Sequence, residues 1–159
     1  MSLHIRPASA DDSALILRFI TDLAIYEKAE HEVKTDVAGI RDSLFGEGST
    51  THALICEQDG VAIGFAVYFF SYSTWLGKHG IYLEDLYVSP EYRKLGAGKA
   101  LLQHLARLAV AKGCGRMEWA VLDWNTPAIE FYEAFGARPK DDWITYRLTG
   151  QALLDFAAS

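Results

Sequence analysis

At 159 residues, half of them hydrophobic, the chain has enough apolar material for one well-cored domain, and no repeat, low-complexity block or linker divides it. Its formal net charge of −6 argues against a broad nucleic-acid interface, and its longest apolar stretch, residues 61–70, contains a glycine and is too short to span a membrane. The two cysteines, Cys56 and Cys114, show no metal-ligand pattern and read as reduced, the opening residues carry no signal core, and so a cytoplasmic location without a metal is expected.

Residues 4–6 alternate as a short strand stopped by Pro7. Residues 9–12 offer caps for a helix with apolar positions at Leu15, Phe19, Ile20 and Leu23. A second helix is predicted from Thr35, with Val37, Ile40 and Leu44 on one stripe and Gly46 as its stop. Residues 52–57 and 61–72 are β-rich, and Asp59-Gly60 between them is a hairpin signal. Residues 81–88 make another strand. After Pro90, a glycine-containing turn opens a helix with Leu101, Leu105, Leu108 and Lys112 at helical spacing, stopped by Gly113. A strand over 116–122, a short helix over 127–135 ended by Gly136, and a last strand over 142–148 complete the chain. This order predicts a mixed α/β layer with an antiparallel front and one parallel crossover.

The most informative segment is Arg93-Lys94-Leu95-Gly96-Ala97-Gly98-Lys99, which follows a strand and opens a helix. Two glycines allow close backbone approach, and free amides at a helix start favour an anion, so the segment reads as a phosphate cradle. A nucleotide P-loop would need Gly where Arg93 stands and Ser or Thr where Ala100 stands; a dinucleotide fingerprint would need Gly or Ala at Leu101. Both fail. A basic turn that merely caps a helix has the same pattern.

What remains is Arg-x-x-Gly-x-Gly after a Tyr-rich strand, with Asn125 and Tyr132 downstream. Together with Ile5-Arg6-Pro7-Ala8, Leu23-Ala24-Ile25-Tyr26-Glu27, Trp75-Leu76-Gly77-Lys78, Tyr82-Leu83-Glu84-Asp85 and Leu122-Asp123-Trp124-Asn125, this resembles the GNAT (Gcn5-related) N-acetyltransferase family. Within that family it is similar to the diamine acetyltransferases of the spermidine/spermine and thialysine type. Ser73-Thr74 stands before Trp75 where the spermidine/spermine enzymes carry Asp-Pro, and the likeness leans to the thialysine type. The resemblance implies a single N-acetyltransferase domain over 1–159, built on a mixed, mostly antiparallel sheet with helices on both faces. It also implies acetyl-CoA as co-substrate and a homodimer.

Residue by residue, the resemblance puts the diphosphate of acetyl-CoA on Arg93, Lys94, Leu95, Gly96, Ala97, Gly98 and Lys99. The pantetheine arm then lies along Leu86, Tyr87 and Val88, with Asn125, Thr126, Pro127, Ala128 and Tyr132 completing the contacts. Leu86–Val88 also read as an ordinary central strand, and Asn125 as a helix cap. Attack on a thioester needs a neutral amine, yet lysine-like amines have a pKa of about 10, so a carboxylate must take the proton. Glu84 is the candidate base, since it shares the strand with the thioester contacts. Asp85 points to the other face by alternation unless a bulge, which the family places in this strand, re-aims it. A Glu-Asp pair equally describes a solvated strand edge. Tyr132 lies four residues after Ala128 and three before Phe135. That spacing describes a core tyrosine, and the resemblance makes it the general acid for the leaving thiolate. For the cationic amine it gives Tyr26, Glu27, Trp75, Glu84, Asp85 and Trp143, together with Glu118, Trp119 and Ala120. Another amine (a peptide N-terminus or an antibiotic) and a non-catalytic acetyl-CoA sensor are the alternatives.

Overall fold

In the computed structural model, which describes residues 2–159, five strands form one sheet in sequence order: β1 (Leu3–Pro7), β2 (Thr51–Gln58), β3 (Val61–Ser73), β4 (Lys78–Val88) and β5 (Met117–Trp119). The first four are antiparallel and the last pair is parallel. Helix α1 (Ser13–Tyr26) and helix α2 (Val37–Phe45) separate β1 from β2, and helix α3 (Ala97–Ala111) makes the crossover from β4 to β5. The predicted order holds this far. Asp59 and Gly60 both take left-handed φ, 51° and 82°, as a tight hairpin between twisted strands requires.

Period-two alternation divides the sheet residues between two layers. Ala53, Ile55, Phe65, Val67 and Tyr87 share one face and pack with Ile16 and Phe19 of α1 and Ile40 of α2. Phe19 stacks on Phe65 with ring centroids 5.4 Å apart. The alternate positions, among them Leu54, Cys56 and Ala66, are buried on the opposite face, where α3 packs on β3 and β4 through Leu101, Leu102 and Leu105. Arg6 forks onto Asp12 at 2.8 and 2.9 Å and fixes β1 to the turn before α1. That guanidinium holds the Asp12 carboxyl below the usual carboxylate range, against the opposing effect of burial.

The chain divides into two compact units, one ending at Ala120 and one spanning Val121–Ser159. The second unit contains helix α4 (Thr126–Ala134) and helix α5 (Gly150–Ala158). Three expectations change here. The strand predicted over 116–122 is only Met117–Trp119, because the chain turns at once: the Asn125 N–H donates to Leu122 O at 3.0 Å and the Thr126 N–H to Trp124 O at 2.9 Å. Residues 142–148, read as a final strand from the alternation of Trp143, Ile144, Tyr146 and Leu148, pair with no strand among the described residues. A strand needs a neighbour for its main-chain groups, and alternation alone does not supply one. Helix α5 was not anticipated, although Leu153 and Phe156 stand three apart after Thr149.

Candidate active site

The register of β3 on β4 contains the decisive local feature. Val67 faces Asp85, but the next residue, Tyr68, faces Leu83, so Glu84 is the extra residue of a bulge. Facing residues of paired strands share a side of the sheet, so Asp85 lies with Val67 and Tyr87 under α1, while Leu83 lies on the α3 side. Strict alternation would have put Leu83 and Asp85 together. The bulge in this strand is as expected.

Several sequence-predicted substrate residues gather on this side. Glu84 is exposed and Asp85 half-buried. Burial pushes the Asp85 carboxyl up to about 6, and the neighbouring Glu84 and Glu27 carboxylates add to the rise. Glu27 sits just past the end of α1, where burial likewise raises its carboxyl. Tyr82, which the sequence reading left without a role, belongs to the same neighbourhood. Burial raises its phenol, helped by Glu84 and by Glu118, its partner across β4–β5. Its ring lies 5.2 Å from that of Phe69. The available signal was its place two residues before Glu84 on one strand. Glu118 also pairs with Arg116 at 3.3 Å.

Tyr26 and Glu27 are set by the way α1 stops. The Lys28 N–H donates to Ile25 O at 3.0 Å and the Ala29 N–H to Ala24 O at 2.8 Å, while Lys28 takes φ 61°. This is a Schellman closure with lysine in the place glycine usually fills. A depression of about 520 Å³ lined by Ile25, Lys28, Glu30 and His31 lies nearby; Glu27, Glu84 and Asp85 do not line it.

The cofactor-side residues follow directly on β4. β5 pairs only with Ile81, Tyr82 and Leu83, so Leu86, Tyr87 and Val88 have β3 on one side and no strand among the described residues on the other. That edge runs into the basic turn. Gly96 takes φ 84° as the residue before α3, Lys94 takes φ 70°, and the first intrahelical bond is Ala100 N–H to Gly96 O at 2.9 Å. The helical amides before Ala100 therefore lack intrahelical carbonyls. A methyl group built on Gly96 would meet nothing within 4 Å, and on Gly98 only Val88 Cγ2 at 4.0 Å, so the turn is open at both glycines. The need for glycine at position 96 comes from backbone conformation.

Of the remaining predicted residues, Trp75, Trp119 and Ala120 belong to the first unit. Trp75 is 84% exposed in the turn between β3 and β4, well along the hairpin from Asp85. Trp119 ends β5, and Ala120 follows it. Asn125, Thr126, Pro127, Ala128, Tyr132 and Trp143 belong to the second unit. There Asn125 Oδ1 accepts from the Ala128 N–H at 3.4 Å as the cap of α4, and the Tyr132 ring packs with Phe131 and Phe135 at 5.7 and 6.3 Å. The groups of described His, Cys, Asp and Glu include no set suited to a metal ion, and no helix among the described residues is long and apolar enough to cross a membrane.

Residues 17–137 match the acetyltransferase (GNAT) family, and the chain belongs to it. It is an N-acetyltransferase by that membership, and acetyl-CoA is the co-substrate that goes with the family. The thialysine N-epsilon-acetyltransferase of Sus scrofa is 40% identical, covering 98% of each chain. The spermidine/spermine N(1)-acetyltransferase-like protein 1 of Homo sapiens is 34% identical over 97% of this chain, which spans 24% of that longer protein. An integron cassette protein from the mobile metagenome of V. cholerae superposes with a TM-score of 0.84 at 25% identity, covering 100% of this chain and 99% of that one.

Proposed function

We propose that residues 1–159 act as one N-acetyltransferase domain that moves the acetyl group of acetyl-CoA to the primary amine of a small cationic substrate. That substrate is a thialysine- or lysine-like amino acid, or a diamine or polyamine. One observation carries this reading: β5 leaves β4 after Leu83, and the bare edge so created leads straight into the basic glycine turn, with acidic side chains clustered at the point of separation. The likeness to a thialysine enzyme supports the amine class.

In this reading Arg93, Lys94, Leu95, Gly96, Ala97, Gly98 and Lys99 hold the diphosphate, largely through main-chain N–H groups. Leu86, Tyr87 and Val88 hold the pantetheine arm as an added strand would be held, and Asn125, Thr126, Pro127 and Ala128 complete the grip. When bound, acetyl-CoA supplies a thioester carbonyl open to attack and a thiolate leaving group. A main-chain N–H of the β4 edge polarises that carbonyl, a contribution of about 3 kcal/mol.

Glu84 prepares the nucleophile, and Asp85 helps to bind the amine. The substrate ammonium gives one proton to a Glu84 carboxylate oxygen, directly or through water, and becomes a neutral amine. Glu84 stands exposed at the bulge to meet it and releases the proton to solvent, with the half-buried Asp85 next to it in the strand. Tyr132 donates its phenolic proton to the departing thiolate and is restored from the amine nitrogen through water. Glu27 and Glu118 bind the distal cation, and Tyr26, Trp75, Trp119 and Trp143, with Ala120, bind the methylenes. A cytoplasmic homodimer is the setting that accompanies this reading.

A panel of thialysine, lysine, putrescine, spermidine, a peptide and an aminoglycoside, read by release of free thiol from acetyl-CoA, tests the proposal. Turnover of thialysine or lysine, with or without the polyamines, supports it. Turnover of the peptide or aminoglycoside alone reassigns the substrate class, and binding of acetyl-CoA with no turnover favours a sensor.

A further inference from the structure

Arg93 opens the turn assigned to the diphosphate, yet its side chain is directed onto the protein. Its Nε–H donates to the Val88 carbonyl at 2.9 Å, and its guanidinium carbon lies 5.4 Å from the ring centroids of both Tyr26 and Tyr87. One side chain thus touches the end of β4, the last residue of α1 and the start of the turn. The Tyr87 ring is itself packed on Phe19 of α1, 6.1 Å away. Tyr26 is fixed from behind by the Schellman closure at Lys28 and Ala29 and is followed by Glu27, whose charge bears on Asp85.

We infer that Arg93 is a positioning residue that couples the cofactor turn to the amine-side end of α1, so that the Tyr26 ring sets the affinity of a turn to which it does not belong. The inference rests on the acetyl-CoA reading of that turn. A guanidinium held by two ring faces and a carbonyl has few alternative rotamers, so the chain leaving Arg93 starts from a fixed point. Removing the Tyr26 ring frees one side of that clamp, and binding of the carrier must then also order the turn. By reciprocity, a substrate that presses on Tyr26 alters carrier affinity by the same factor that the carrier alters its own.

The test is calorimetric titration of the full chain with coenzyme A. The set is wild type, Tyr26→Phe, Tyr26→Leu, Tyr26→Met, Arg93→Gln and the Arg93→Gln/Tyr26→Leu double variant, with thermal midpoints in parallel. Tyr26→Leu and Tyr26→Met are expected to weaken binding by about three- to tenfold, and Tyr26→Phe, which keeps the ring, by less than about twofold. In the Arg93→Gln background, Tyr26→Leu is expected to cost nothing further. Tyr26→Met stands in if Tyr26→Leu lowers the midpoint, since a general loss of structure is then separated from loss of the ring. Unchanged affinity in both ring-deleted variants, or a full undiminished loss in the Arg93→Gln background, overturns the coupling alone. No binding of coenzyme A by wild type overturns the reading of the turn, and the coupling with it.

Discussion

At Asp85, burial and the Glu84 and Glu27 carboxylates raise the pKa from 3.8 to about 6. Between those values the folded chain keeps a proton that the unfolded chain has already lost, so stability falls as pH rises through the window. Above it the ionised group costs up to about 3 kcal/mol. Asp85→Asn is therefore expected to raise stability near pH 7.5 by about 1–3 kcal/mol, with the gain fading toward pH 4, while turnover falls; melts across pH together with a rate assay check this. A neutral-pH loss of stability in Asp85→Asn would contradict it. Tyr132 gives the second prediction at this scale. Tyr132→Phe is expected to lower turnover by about 10² or more with coenzyme A affinity nearly unchanged, whereas equal turnover would remove Tyr132 from the reaction. Glu27, Glu84, Asp85 and Glu118 were named through the family resemblance, and in the structure the Glu27 and Glu84 charges bear on Asp85 and the Glu84 and Glu118 charges on Tyr82. Tyr82 was not named, because its place two residues before Glu84 on one strand equally describes a core tyrosine.

Left-handed backbone stands at the end of α1 and just before α3, and both positions bear on the site. Lys28 closes α1 at φ 61°, beside Tyr26 and Glu27. Lys28→Gly relieves that strain and is expected to raise stability by about 1 kcal/mol, visible as a higher thermal midpoint; a lower midpoint would contradict it. Gly96 takes φ 84° before α3 in space that would admit a side chain. Gly96→Val is expected to weaken coenzyme A binding through the backbone it can no longer adopt, because a β-branched residue is strongly disfavoured there. Undiminished affinity by calorimetry would discredit the cradle. Helices α1, α2 and α3 and the β2–β3 hairpin were legible because caps, glycine stops and the Asp-Gly turn act locally. The strand expected over 142–148 was not realised, because strand formation depends on a partner that the segment's own alternation does not reveal. The length of β5 was set by the turn that Leu122 and Asn125 form, a contact that no periodicity announces.

For the molecule as a whole, the antiparallel front and the parallel crossover followed from the sequence pattern, and the candidate site is laid out by two local features of β4 and β5. The bulge at Glu84 sets the side of the sheet on which Asp85 lies, and the early end of β5 leaves the edge of Leu86, Tyr87 and Val88 free of a strand among the described residues, between the acidic cluster and the basic turn. The sequence showed the turn and both carboxylates, but the side of the sheet on which Asp85 lies needed the register. The most direct measurement is titration of the isotopically labelled chain with coenzyme A, followed through backbone amide resonances. Saturable shifts concentrated at residues 86–88 and 93–99 are expected. Saturable binding that leaves those amides unmoved would contradict the central claim that this edge and turn hold the carrier.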